Sequence, residues 1–170
     1  MNRAPFLGAR APDLLPTRRR RALPGSHVRE LPVPARRGVD ESPVTLADAV
    51  RIAREGVAEV FGIKLNRVGG LTRARRMRDV ALAHGIQMFV MATGGSVLAD
   101  TEAAHLAQSI PEELVRACWS CQDVSSVDVA PGRGPRCTDG YITVGDAPGL
   151  GVEPDAALLG DPVAVYGPAQ

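Results

Sequence analysis

Apolar positions along the chain alternate between stretches with helical spacing and short apolar runs. Thr45 is a good N-cap residue, with Asp48 three positions later, and apolar residues then follow every three or four positions. Thr72 is expected to cap a second helix, which Gly85 would end in the left-handed conformation that glycine tolerates. The pattern predicts helices within residues 46–57, 72–84 and 97–108, and strands at residues 60–65, 86–91 and 115–120.

This order of elements predicts an α/β fold. Repeated strand-then-helix units favour parallel strands with helices packed over them. The glycine-rich and proline-rich tail from residue 124 onward is expected to form only short extended pieces, near residues 141–144 and 163–166.

The first 38 residues show neither of these periods. They hold six of the fourteen prolines and nine arginines against only two acidic residues. We expect a disordered basic arm over residues 1–38 and a folded part over residues 39–170. The run Arg18 to Arg21 could neutralise the phosphates of a nucleic acid. However, Phe6 is the only aromatic residue of the arm, so we favour a solvated extension or a segment read out of frame.

Composition narrows the class of protein. The chain has 170 residues, of which 45% are hydrophobic and 23% charged, with a net charge of +1, and this is typical of one globular domain. No apolar stretch reaches the ~18 to 20 residues that span a bilayer, so we expect a cytoplasmic protein. An odd number of cysteines favours free thiols over a disulfide framework; these are Cys118, Cys121 and Cys137.

Asp40 and Lys64 are the strongest candidates for chemistry. They are separated by 24 residues, which is the span of one strand–helix–strand step. In a barrel of such steps, the reacting groups lie at the carboxyl ends of the strands. A lysine that loses solvation there could act as a base, and a carboxylate on the neighbouring strand could bind a divalent metal. The alternatives are a snorkelling lysine and an ordinary acidic residue at a helix start.

Three strings at fixed distances carry a family resemblance: DES at residues 40–42, IKLNRVGG at residues 63–70 and PGLGVEPD at residues 148–155. Over residues 39–167 the chain resembles the C-terminal half of the enolase superfamily, in its mandelate racemase and muconate lactonizing branch. Within that branch, MATGGSVLAD, WSCQD and VDVAPGRGPR look most similar to cis-3-hydroxy-L-proline dehydratases, with hydroxyproline-betaine epimerases as relatives.

The resemblance implies a TIM-type (β/α) barrel and a lyase or isomerase. In such enzymes Mg²⁺ binds the carboxylate of a small substrate, a lysine or histidine removes the α-proton, and the metal stabilises the enediolate. By this resemblance, Asp40 matches the last of three metal-binding acids and Lys64 the acid/base lysine of the sixth strand. Residues Thr93, Gly94 and Gly95 match a substrate-facing loop. Trp119 and Asp123 lie near the end of the eighth strand, without an assignable role.

The chain also departs from the family pattern. A whole barrel needs ~250 residues, whereas the recognisable part would supply about the last four strand–helix units. The first two metal acids, the opposing lysine and the capping domain have no counterpart, and the prolines and arginines of residues 31–37 argue against a fifth strand. We therefore expect a partial barrel from a truncated gene, with negligible turnover as an isolated chain. A non-catalytic half barrel that self-associates through its open edges is the alternative.

Overall fold

The computed structural model describes residues 4–5 and 36–165, except for the side chains of Ala4, Pro5 and Asp123. Its centre is a parallel sheet of four strands in the order β2–β3–β4–β5. Two shorter strands, with β1, form a separate antiparallel sheet in the order β1–β7–β6. The strands are β1 (Ala4–Pro5), β2 (Gly38–Val39), β3 (Val60–Lys64), β4 (Gln87–Met91), β5 (Val115–Trp119), β6 (Cys137–Thr138) and β7 (Tyr141–Ile142).

Helices cover one face of the parallel sheet. There α3 and α4 contact the central strands, and α1 contacts α3. Phe61, Ile63, Met88 and Val90 point into this layer and are fully buried, which makes it the core. The predicted α/β partial barrel is confirmed. The helices are α1 (Leu46–Glu55), α2 (Leu65–Val68), α3 (Leu71–Ala83), α4 (Val97–Gln108) and α5 (Ala156–Leu159); among the described residues, none is long and apolar enough to cross a membrane.

The predicted start of α1 is confirmed in detail. The Asp48 amide donates to Thr45 Oγ1, and the Thr45 amide and hydroxyl both donate to Asp48 Oδ2, at 3.0 and 2.7 Å. The hydrogen bond from the Thr45 side chain is the main reason that the pKa of Asp48 is lowered. The helix ends at Gly56, whose left-handed φ of 63° is compatible with glycine.

The predicted start of α3 is wrong by two residues. Thr72 lies inside the helix, which begins at Leu71 after Gly70. Gly70 has no side chain to cap the helix. Instead, the Leu71 amide donates to Glu102 Oε1 of α4 at 2.9 Å. A residue distant in sequence therefore accepts a hydrogen bond from an amide that the first turn of α3 leaves unpaired. The predicted end is confirmed, since Gly85 follows the helix with a φ of 64°.

The sequence predicted no strand before Asp40, and this too is wrong. Gly38 and Val39 form β2, which pairs in parallel with Val60 and Phe61 of β3. Neither residue is a proline or a charged residue, so the argument against residues 31–37 does not extend to them. Within the arm predicted over residues 1–38, Ala4–Pro5 form β1, which pairs with β7, and the Arg37 amide donates to Glu59 Oε2. Residues 1–3 and 6–35 lie outside the described ones.

The tail is only partly as predicted. Tyr141–Ile142 form β7, within the expected residues 141–144, and β6 lies opposite them. The extended piece expected at residues 163–166 forms no strand over residues 163–165, and residue 166 lies outside the description. The short helix α5 was not predicted.

A β-bulge interrupts the pairing of β4 with β5. Met88 lies opposite Val115, but Phe89 lies opposite Ala117, so Arg116 is an extra residue in β5. Beyond the bulge the register is regular. It places Lys64, Met91 and Trp119 in one row across the carboxyl ends of the three strands; residues in one row point to the same face of the sheet.

Candidate functional site

Lys64 and Asp40 meet at the carboxyl edge of the parallel sheet. Lys64 is the last residue of β3, and Asp40 directly follows β2 on the neighbouring strand. The Lys64 ammonium donates to Asp40 Oδ2 at 2.7 Å. The two residues that the sequence proposed for chemistry therefore lie in direct contact, across 24 positions of sequence.

Two further charges complete this group, which we call the ionic cluster (Asp40, Glu41, Lys64 and Arg67). The Lys64 ammonium also donates to Glu41 Oε1, and Arg67 of α2 forms an ion pair with Glu41 Oε2. Sequence reasoning noted Glu41 only as a neighbour of Asp40 and did not foresee Arg67. The unpredicted helix α2, which follows Lys64 directly, brings that arginine back to the sheet edge.

Gly62 provides the space that Asp40 occupies. A Cβ atom at this position would lie 2.6 Å from Asp40 Oδ1 and 3.0 Å from Asp40 Cα, which is closer than real Cβ contacts. The register of β2 and β3 brings Asp40 level with Gly62, on the same face as Lys64. The glycine in the middle of β3 is thus required for the Asp40–Lys64 contact.

Burial differs sharply within the ionic cluster. The Lys64 side chain is 8% exposed, whereas those of Asp40 and Glu41 are 56% and 60% exposed. The ammonium is therefore held at the sheet edge by two carboxylates that remain open to solvent. Such an arrangement fixes a proton-carrying amine in one position while a small anion can still approach the cluster.

The residues 93–95 lie on the same edge, in the loop after β4. All three are exposed, and Thr93 and Gly94 have left-handed φ values of 59° and 76°. Gly95 packs so closely on α4 that a Cβ atom would lie 2.5 Å from the Ala99 Cβ atom. The structure thus places this loop beside the row of Lys64, and its contact with a substrate stays a prediction.

A second cluster, which we call the Asp100 cluster (Asp100, Ser120, Cys121 and Gln122), follows the next strand. Asp100, in the first turn of α4, is only 2% exposed. Its carboxylate accepts hydrogen bonds from Ser120 Oγ at 2.8 Å, from the Gln122 amide at 2.8 Å and from the Cys121 amide at 3.0 Å. Sequence reasoning missed this residue, although an acidic position among the apolar residues of this helix, which has only one other acidic residue, was a usable signal.

Cys118 and Cys121, which form a CxxC motif, lie in different surroundings. Burial raises the pKa of Cys118, which lies within β5, to about 12. Burial also raises the pKa of Cys121 to about 11, and the hydrogen bond and charge of Asp100 add to this shift. Both thiols are therefore neutral at physiological pH, which is the opposite of what a reactive cysteine requires.

The described residues fit a tightly bound Mg²⁺ ion poorly. Mg²⁺ prefers about six oxygen ligands in octahedral geometry. The ionic cluster offers two carboxylates, and both are already paired with cations. Among residues 36–165, no three His, Cys, Asp or Glu side chains group together as a metal site would require.

A parallel α/β half barrel with a lysine–carboxylate pair at its carboxyl edge defines the class of this molecule. Residues 27–158 match the family described as Enolase C-terminal domain-like. The chain belongs to this family. The assignment to the mandelate racemase and muconate lactonizing branch of the enolase superfamily is confirmed by its relatives, which include dehydratases, racemases and epimerases.

Three relatives illustrate the match. A cis-3-hydroxy-L-proline dehydratase from Roseibium aggregatum is 39% identical over 128 residues, which is 75% of this chain and 34% of the relative. A solved structure from Silicibacter pomeroyi, assigned to the mandelate racemase/muconate lactonizing enzymes, is 68% identical with a TM-score of 0.73, over 76% of this chain and 36% of that one. A member of the enolase superfamily from Roseovarius nubinhibens ISM, complexed with magnesium, is 40% identical with a TM-score of 0.65, over 79% and 43%.

The chain therefore spans about a third of the length of these relatives. The residues that match the family model include the whole parallel sheet and both clusters.

Proposed function

We propose that the chain carries the proton-transfer part of an enolase-superfamily site. In this proposal Lys64 exchanges the α-proton of a small amino or hydroxy carboxylate, as in a dehydratase of the cis-3-hydroxy-L-proline type or in a racemase or epimerase. The observation that carries the proposal is the 2.7 Å contact between Lys64 Nζ and Asp40 Oδ2 at the strand-end edge. The family membership of the chain gives that contact its chemical interpretation.

The roles of the cluster follow from its charges. Asp40 and Glu41 hold the Lys64 amine in one position at the sheet edge. In its neutral form this amine would take up the α-proton of the substrate, and the resulting ammonium would return that proton to the carbanion or to a leaving hydroxyl group. Arg67 keeps Glu41 in place during this exchange, because it binds the oxygen that Lys64 does not use.

Asp40 is proposed to supply one oxygen ligand to a metal ion in a complete site. The proposal is supported by the magnesium complex of the related structure and by the exposure of this carboxylate. The described residues alone do not supply the other ligands, so we expect Mg²⁺ to bind this chain weakly. No step of the proposed proton transfer is assigned to the metal here.

We expect the isolated chain to turn over substrate negligibly, and this can be tested directly. The chain is incubated with cis-3-hydroxy-L-proline or proline in D₂O with Mg²⁺, and loss of the α-proton signal is followed by NMR. We expect exchange far slower than that of an enzyme, because acid–base assistance by itself contributes only about 10² to 10⁴-fold, whereas enzymes reach about 10⁶-fold or more. Clear exchange that disappears in Lys64→Ala would overturn the proposed inactivity.

The role of Lys64 needs a complete barrel. Residues 39–158 can replace the matching segment of the Silicibacter pomeroyi relative, which is 68% identical in the region compared. If the proposal holds, the chimera exchanges the α-proton of its carboxylate substrate, and Lys64→Ala abolishes this exchange. Arg51→Ala serves as the control, since Arg51 lies on the outer helix α1. Exchange that survives Lys64→Ala in a folded, active chimera would refute the proposal.

Self-association of a non-catalytic half barrel is the second candidate, and a specific surface favours it. The outer side of α1 exposes Leu46 at 42% and forms a groove with Val50 and Arg54. The edge strand β2 has only two paired residues, so the end of the sheet is incompletely covered. A second copy would cover both features.

Light scattering or sedimentation measures this directly. The expected result is a discrete oligomer that dissociates in Leu46→Arg, whereas Leu158→Arg, at an exposed residue of α5, leaves it intact. A monomer at all concentrations would exclude this candidate without affecting the role proposed for Lys64.

A further inference from the structure

Asp100 joins two loops that follow neighbouring strands. It receives three strong hydrogen bonds from the loop after β5, all between 2.8 and 3.0 Å. The Cys121 thiol lies 3.3 Å from Asp100 Oδ1 and 3.7 Å from the carbonyl oxygen of Gly95, which belongs to the loop after β4. The buried carboxylate therefore joins helix α4 directly to the loop after β5, and the Cys121 thiol extends this connection to the loop after β4.

Among the described residues, no cation contacts the Asp100 carboxylate. The charge is stabilised by backbone and side-chain donors, and by the start of α4, where the helix dipole favours an anion. A carboxylate suits this position because it only accepts, whereas an amide would direct its own N–H groups at some of the four donors.

We infer that Asp100 is a positioning residue, which locks residues 120–122 against the loop at residues 93–95 at the carboxyl edge of the sheet. The inference rests on the proposed function only in assigning that edge to a substrate. The lock itself is a property of this chain, because every group in it lies among the described residues. Asp100 is not proposed to contact a reacting atom. It affects the site only by holding the two loops in position.

The experiment compares two local readouts in the intact chain. Hydrogen exchange measures the protection of the Cys121 and Gln122 amides, and alkylation with iodoacetamide measures the accessibility of the Cys121 and Cys118 thiols. In Asp100→Asn we expect exchange of both amides and alkylation of Cys121 to rise about tenfold or more. Alkylation of Cys118, which is held within β5, should not change.

Glu102→Gln is the matched control. Glu102 lies on the same helix and accepts one backbone hydrogen bond, but from Leu71 at the start of α3. This variant should leave the ratio of Cys121 to Cys118 alkylation as in the parent chain. A merely structural role for Asp100 would instead accelerate both thiols equally through global unfolding, and that result would overturn the inference.

If Asp100→Asn does not fold, Ser120→Ala provides the test of the inferred lock. It removes one donor to Asp100 and leaves the carboxylate in place, so a selective rise of about threefold or more in Gln122 exchange is expected. Unchanged exchange would refute the lock. None of these readouts involves turnover, so failure of the proton-transfer proposal would leave their outcome unaffected.

Discussion

The two clusters at the carboxyl edge use a carboxylate in opposite ways. In the ionic cluster, half-exposed acids bind an ammonium and a guanidinium group. In the Asp100 cluster, a fully buried acid binds neutral donors and no described cation. Exposed ion pairs contribute little stability and exchange partners readily, whereas a buried acceptor leaves costly unpaired donors when it is removed.

This difference suggests a division of roles along one edge. The ionic cluster is suited to exchanging contacts with a charged ligand, because its two carboxylates are more than half exposed to water. The Asp100 cluster is suited to holding the backbone still. If this contrast is real, variants of the two clusters should differ in stability, in pH dependence and in salt dependence.

Removing each acid should separate the clusters most clearly. Asp100→Ala leaves the Cys121 and Gln122 amides and the Ser120 hydroxyl without their acceptor, and should lower the free energy of unfolding by about 3 kcal/mol or more. Asp40→Ala should cost about 1 kcal/mol or less, since its carboxylate is more than half exposed. Urea denaturation measures both values, and equal losses would contradict the contrast.

Gly62→Ala should disturb the ionic cluster through packing. The new methyl group would overlap Asp40 Oδ1, so Asp40 must shift, at a cost of about 1 to 3 kcal/mol in unfolding free energy. Gly145→Ala is the control, because a Cβ atom there would meet nothing within 4 Å. Thermal unfolding of the two variants provides the measurement; similar melting temperatures would show that Asp40 moves without cost.

Alkaline pH should lower stability through the buried thiols, and Cys121 should respond at a lower pH than Cys118. The pKa of Cys121 is raised to about 11 in the folded chain, from about 9 for an ordinary thiol. A group whose pKa is raised by folding stabilises the fold fully below the unfolded value, and this stabilisation is lost as the pH rises through the folded value. Stability should thus fall between pH ~9 and ~11, less steeply in Cys121→Ser. An unchanged slope in this variant, measured by urea denaturation across that range, would contradict this origin.

Salt should produce the smallest effect, confined to the ionic cluster. The stability difference between the parent chain and Asp40→Asn should shrink by about 0.5 kcal/mol or less on raising the salt to about 1 M, because exposed charges are screened. The difference for Asp100→Asn should stay constant. Denaturation at two salt concentrations tests this, and a strong salt dependence at Asp100 would imply a charged partner there.

The local signals in the sequence predicted most of the fold. The Thr45 cap, the Gly85 stop and the three long strands depend on neighbouring residues, so spacing alone predicts them. Thr72 failed as a cap because Glu102, 30 positions away, satisfies the first amide of the helix. Such a contact follows from the packing of α4 against α3 and leaves no local trace.

Only one pair of residues in the candidate site could be predicted from the sequence. Asp40 and Lys64 could be paired from the length of one strand–helix–strand step, and the structure brings them together. Arg67 was missed because α2 is a single turn without a clear pattern. Asp100 was missed because two of its four donors are backbone amides, which every residue type except proline supplies.

The bulge at Arg116 decides which side chains of β5 face each way. If Arg116 were instead paired regularly opposite Phe89, Cys118 would lie opposite Met91 and turn toward the Lys64 side, and Trp119 would turn into the layer beneath α4. The bulge therefore keeps the indole on the Lys64 side of the strand and the thiol on the helix side. Deleting Arg116 would remove the bulge and leave Cys118 and Trp119 opposite their present partners.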